Sequence, residues 1–290
     1  MPPHAAPPRR KLVQPGPASP ERLESRAGTP RTLDFTLEPG LTINEAVTRP
    51  LGQAGIAGAV VEIEGGAFGP FTYVLPASSP DRDHAAFYSR FHRIDGPSLL
   101  DRASVSAGWR DGAPFIHCHG VWTEPDGSRR AGHVIPSETV IAAPVRARAW
   151  GLTDATFVAE EDPETNFRLF RPAESAVGAE KAGASGVLAR VRPNEDVCEA
   201  VEALCARHGL ASATVRGIGS LVGAEFMDGR TVRSYASEVL ITRGRVEPAE
   251  GSGPSATLDI VMVDMDGIIH EGRLVRGRNS VCITFEIYLE

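Results

Sequence analysis

Leu188–Gly219 reads LARVRPNEDVCEAVEALCARHGLASATVRGIG, and Phe35–Gly65 reads FTLEPGLTINEAVTRPLGQAGIAGAVVEIEG. At an offset of 154 residues, Pro39 matches Pro193, Ala46 matches Ala200, and Gly55 matches Gly209. Ala57 and Ala59 match Ala211 and Ala213 in the same register. Each stretch reads as strand, turn, helix, glycine stop, strand. Thr42 and Glu45 have capping-box spacing before the first helix. Asn194 is the expected N-cap of the second, where Val197, Val201, Leu204, Cys205 and His208 recur at helical spacing. Gly209 is placed to end that helix in a left-handed conformation. Cys198 and Cys205, seven apart, share the helix face that enters the core.

Downstream, the repeat resumes at an offset of 140. TEPDG at Thr123–Gly127 matches VDMDG at Val263–Gly267, and Gly132 matches Gly272. The offset shrinks because the first copy holds extra residues around Pro70–Arg102. Within the first copy, Phe115–His133 reads FIHCHGVWTEPDGSRRAGH. His117 and His119 sit two apart in an apolar run, so on a strand both rings point to one face and Cys118 to the other. Asp126-Gly127 marks a turn, and a return strand would bring His133 beside them. At the matching positions the second copy has Thr257, Asp259 and Arg273. The second copy thus keeps the scaffold without the histidines, which argues that they serve function rather than folding.

Neutral imidazole is a common ligand for zinc and related metals, and three such ligands leave a coordination position open. His117, His119 and His133 are therefore the expected ligands of a divalent metal, with zinc as the expected ion. The alternative is a half-buried, hydrogen-bonded histidine group without a metal. Glu124 and Glu138 are the nearest carboxylates in sequence for general-base work. In the inserted Phe68–Arg110 segment, Tyr88, Arg90 and His92 alternate with Phe87, Ser89 and Phe91, the pattern of one strand face. Tyr88 or His92 is suited to proton transfer, and Arg90 or Arg110 to holding a carboxylate. Asp81, Asp83 and His84 offer a fourth ligand or a solvated loop. His270 in the second copy reads as a surface or turn residue.

The chain has 290 residues, 42% hydrophobic and 23% charged, the size of two domains and the composition of a soluble protein. No apolar run is long enough to cross a bilayer, and no secretory leader is evident. Four scattered cysteines without a CxxC fit a reducing, cytoplasmic setting. Residues 1–32 carry six basic and two acidic residues, a net of +4, so the remainder sums to −11 against the total of −7. Eight prolines in that segment suggest a disordered tail. An acidic body repels phosphate backbones, so DNA contact would rest on the tail. Ala173–Ser185, small and polar, reads as a linker between units at 33–172 and 186–290.

These motifs resemble the PPC domain, named for plants and prokaryotes conserved. The His-x-His strand is His117 and His119, the Asp-Gly turn is Asp126-Gly127, and the return element ends at His133, with Ala131 replacing its first glycine. The family's opening pattern is matched by Pro193, Val197–His208 and Gly217-Ile218-Gly219. The chain ends in VCITFEIYLE, with Glu286 where the family often has glutamate and Arg146 at the aligned place in the first copy. The resemblance covers roughly Leu33–Leu152 and Gly186–Glu290. It implies an α+β fold of two PPC-like units, each a mostly antiparallel sheet with one main helix, and trimeric association. The histidine trio and the inserted tyrosine and arginines themselves point to a divalent-metal site with a small anionic ligand and metal-assisted lyase or hydrolase chemistry; the family's DNA-binding label points instead to a DNA-associated regulator or an oligomeric scaffold.

Overall fold

In a computed structural model, the described residues are 9–175, 185–249 and 253–290. Apolar residues at helical spacing give α1 (Ile43–Gln53) and α2 (Val197–Arg207), the two α-helices among them. The capping box of Thr42 and Glu45 forms at α1. At α2 the N-cap is Asp196, whose side chain accepts from the Glu199 N–H. Asn194 instead takes a left-handed backbone (φ 68°), and its amide pairs with both backbone groups of Leu12. Gly55 and Gly209 follow the two helices with the same φ of +68°, as their stop role requires. Everything else is strand, turn or loop, so the protein is mostly β. Neither helix is long and apolar enough to cross a membrane.

The strands form two large sheets with a shared order. The first runs Pro30–Leu37, Val145–Leu152, Gly58–Glu64, Ser98–Arg110, Ala113–Thr123, Arg129–Val134 and continues through Phe71–Val74 and His92–Ile94. The second runs Leu23–Gly28, Gly186–Val191, Val281–Leu289, Ala213–Leu221, Ser237–Ala249, Gly253–Asp264 and Ile269–Arg273. From Pro30–Leu37 and from Gly186–Val191 onward, six strands correspond one to one. The register corresponds as well: His119 lies opposite His133, and Asp259 opposite Arg273. The 140-residue offset is thus reproduced in the pairing itself.

Each sheet has two buried faces. One packs on its own helix: Val61, Val105, Ile116 and Cys118 share a core with Ile43, Val47 and Leu51 of α1. The other face meets the opposite sheet, where Val121 and Ala131 pack with Ile218, Leu240 and Val261, and Val60 with Leu188 and Tyr288. Period-2 alternation therefore sends Cys118 toward α1 and its neighbours His117 and His119 into the layer between the sheets.

Residues 9–32 differ from the disordered tail that their composition suggested. Leu23–Gly28 is the edge strand of the second sheet, paired with Gly186–Val191. Leu12 is buried with Ala86, Val222 and Cys282. The basic residues find acids or carbonyls: Arg9 pairs with Glu199, Arg22 with Glu164 and Glu195, and Arg10 donates to the Val232 carbonyl. A buried ionic knot holds this segment down. Asp162 contacts Arg190 and Arg192, and Arg192 also pairs with Glu24 and Glu164. Burial alone would raise the Asp162 carboxyl, but Arg190 and Arg192 hold it below its usual value. The expected linker falls largely outside the described residues; Ala173 and Glu174 close a strand, Arg168–Glu174, paired with Ala155–Glu161.

Replacing Arg190 by methionine leaves Asp162 short of a buried partner and should cost on the order of 3–5 kcal/mol. Urea unfolding checks this, and a loss below about 1 kcal/mol would show that Arg192 alone satisfies the carboxylate.

Candidate metal centre

The Ala113–Thr123 and Arg129–Val134 hairpin places the three histidines on one face, as their spacing implies. Among the described residues, His117, His119 and His133 are the group of three whose ligand atoms lie within 4.8 Å of one another. His117 and His133 have ring centroids 4.9 Å apart, and His119 and His133 5.4 Å. The second sheet supplies the rest. His117 Nδ1 is 2.9 Å from Glu286 Oε2, and His119 Nδ1 is 2.8 Å from the Val239 carbonyl. His117 Nε2 and His119 Nε2 face each other at 2.9 Å, and Glu238 Oε2 lies 2.8 Å from His119 Nε2. His119 and Glu286 are each 1% exposed. Gly217 matters here, because a Cβ on it would collide with the Glu286 carbonyl.

These partners fix the tautomers. A carboxylate and a carbonyl only accept, so both Nδ1 atoms carry a proton, and each ring in its neutral form presents its lone pair at Nε2. Two facing lone pairs beside a carboxylate oxygen are held together by a shared proton or a cation. His133 Nδ1 is buried with no hydrogen-bond partner. Imidazoles oriented through their second nitrogen by a carboxylate or carbonyl are the usual arrangement of metal ligands. The residues therefore fit a divalent metal.

Burial disfavours charge on His117, but the carboxylates of Glu286 and Glu238 raise its pKa above the ordinary value. Burial and the neighbouring His117 and His119 push that of His133 well below it. Burial first, then Glu238 and Glu286, raises Tyr88 far above the phenol range.

Two adjoining cavities flank the histidines. The larger, about 270 Å³, is lined by Tyr88, Arg110, His117, His133 and Glu286 beneath Phe167 and Phe170. The smaller, about 40 Å³, shares Tyr88 and His117 and adds Glu238 and Thr284. Tyr88 and Arg110 are thus brought to the site, with the Tyr88 ring 5.1 Å from His133. Glu124 and Glu138 line neither cavity. Glu124 accepts from the Tyr73 hydroxyl at 2.8 Å, and Glu138 pairs with Arg93 at 3.3 Å. The expected Phe87–His92 strand splits into Phe87–Tyr88 and His92–Ile94, because the two halves pair with different partners. His92 stacks on Tyr73 instead, and Arg90 is exposed. His84 packs on Phe167 with Asp81 4.0 Å away. His270 pairs with Asp264 at 2.8 Å. Glu238 and Glu286 lie outside the sequence-derived site set, because only packing of the second sheet brings them to the histidines.

Residues 178–290, which include α2 and most of the second sheet, match the family model of the Plants and Prokaryotes Conserved (PCC) domain. No curated protein matches the chain. Among solved structures, a plant- and prokaryote-conserved protein from Pyrococcus horikoshii is 15% identical with a TM-score of 0.40, over 51% of this chain and 94% of that one. A metal-containing protein from Archaeoglobus fulgidus is 18% identical (TM-score 0.39, 51% and 96%). A protein from Bacteroides thetaiotaomicron, named as a candidate DNA-binding protein, is 12% identical (TM-score 0.38, 50% and 97%).

The pKa directions give a pH dependence for the metal-free protein. Protonated His117 is favoured by folding, so its stabilisation is complete below about pH 6.5 and is lost as pH rises through the folded pKa. His133, held neutral, costs stability as pH falls below about 6.5. Glu286→Gln should move the His117 titration midpoint down, because it removes a carboxylate that favours the charged ring; NMR of the imidazole carbons follows the shift. An unmoved midpoint would show that Glu286 does not govern that ring.

Proposed function

We propose that this chain is a tandem PPC-domain protein whose first unit, 33–172, binds a divalent metal through His117, His119 and His133, with zinc as the fitting ion. The facing Nε2 atoms of His117 and His119 carry this reading, since their Nδ1 protons are already committed to Glu286 and the Val239 carbonyl. The tandem reading is supported by the shared strand order and register of the two sheets.

The larger cavity suits a small anionic ligand. Arg110 contributes a guanidinium to its wall, and Tyr88, kept protonated, contributes a hydroxyl donor. A divalent metal at this place supplies Lewis acidity, which polarises a carbonyl or lowers the pKa of bound water, the chemistry of metal-assisted lyases and hydrolases. The chain's own part is to hold the imidazoles in one tautomer and to shield them under the aromatic side chains. Glu124 and Glu138 have no part in this assignment. Association as a homotrimer and a cytoplasmic setting complete the reading; the four buried, unbridged cysteines are consistent with the latter.

The DNA-associated alternative draws on the basic N-terminal segment. Arg9 and Arg22 there are already engaged by Glu199, Glu164 and Glu195, which reduces the charge free to meet phosphate.

Elemental analysis of chelator-free protein should give about one metal per chain, lost in the His117→Ala/His119→Ala double variant, as expected for an all-histidine ligand set. Wild-type protein that takes up no zinc, nickel or manganese would overturn the assignment.

A further inference from the structure

We infer that Glu238, from the second sheet, is a fourth metal ligand, so that the centre is shared between the two halves of the chain. The inference rests on the three-histidine reading above and adds to it a residue 119 positions beyond His119 in the sequence. Its Oε2 lies 2.8 Å from His119 Nε2, the same atom that faces His117 Nε2 at 2.9 Å. With both Nδ1 protons directed elsewhere, the three atoms converging here are all lone-pair donors. With the nearby His133 imidazole they make a donor set of three imidazoles and one carboxylate, of the kind a divalent cation collects.

The two glutamates are not equivalent. Glu286 reaches the protonated Nδ1 side of His117, so it orients that ring from behind. Glu238 reaches the lone-pair side of His119, where the metal would sit. Glu238 is also desolvated, with its side chain 10% exposed, and its carboxylate has a basic partner in His119. A buried carboxylate facing an imidazole lone pair costs free energy unless a proton or a cation lies between them. It also lines the smaller cavity with His117, so a ligand entering there would come alongside a metal held by these residues.

His117, His119 and His133 belong to the first sheet and Glu238 to the second, and metal bound by both stabilises their packing by mass action. A three-histidine centre without Glu238 would stabilise the fold by less, in proportion to its weaker affinity.

The test uses full-length protein stripped with chelator and then titrated with cobalt(II) against a competing chelating dye. Affinity and visible d–d absorption are compared for wild type, Glu238→Gln and His119→Ala, with urea unfolding read with and without metal. The expected result is one cobalt per wild-type chain, at least about a tenfold loss of affinity in Glu238→Gln, an altered d–d spectrum, and a smaller rise of the urea midpoint on metal addition. Unchanged affinity and spectrum in Glu238→Gln, with binding lost in His119→Ala, would overturn the role of Glu238 and leave the three-histidine centre standing. No cobalt bound by wild type would overturn both. If Glu238→Gln fails to fold, Glu238→Asp replaces it; its shortened carboxylate must also weaken binding, and wild-type affinity there would overturn the proposal.

Discussion

The arrangement depends on two sheets that each bury both faces. Between a helix on one side and a second sheet on the other, the central strands are largely shut off from solvent, so polar residues there must meet partners within the protein. His117 and His119 project into that layer, while Cys118 between them packs toward α1. The opposing sheet answers with acceptors: the Glu286 and Glu238 carboxylates and the Val239 carbonyl. Without the second sheet, the hairpin would present solvated imidazoles in no fixed tautomer.

The two sheets use one scaffold for different ends. At matching register positions the first has His119 opposite His133, and the second has Asp259 opposite Arg273, joined at 2.9 Å. The first pair is covered by the other sheet and by the inserted residues that carry Tyr88. The second pair is partly exposed, and an ion pair in that setting loses little to desolvation. Burial thus separates a group of enclosed, directed nitrogens from an ordinary surface contact on the same backbone frame.

The N-terminal segment shows how summed charge misleads. A net of +4 over residues 1–32 looks like a free basic tail, yet Arg9 and Arg22 are engaged by acids of the second half of the chain, and Arg10, Arg26 and Arg31 by backbone carbonyls. Leu23–Gly28 extends the second sheet at its edge, and Leu12 closes a small apolar cluster beside the smaller cavity. Proline content disfavours helix and inner strand, but it permits an extended segment laid along a surface.

The sequence by itself determined what is local and periodic. The α1 capping box, the glycine stops at Gly55 and Gly209, the Asp126-Gly127 turn and the facing of His117 and His119 all follow from spacing within a few residues. The Asp126-Gly127 turn also located the return strand that sets His133 opposite His119. Other features required the fold. Asn194 was displaced as N-cap by Asp196 because its side chain is engaged by Leu12, nearly two hundred residues away. Glu124 and Glu138 are near the histidines along the chain but lie on other partners, whereas Glu238 and Glu286 are far along the chain and in contact. Alternation tells which face a side chain takes; only the packing of one sheet against another tells what it meets there.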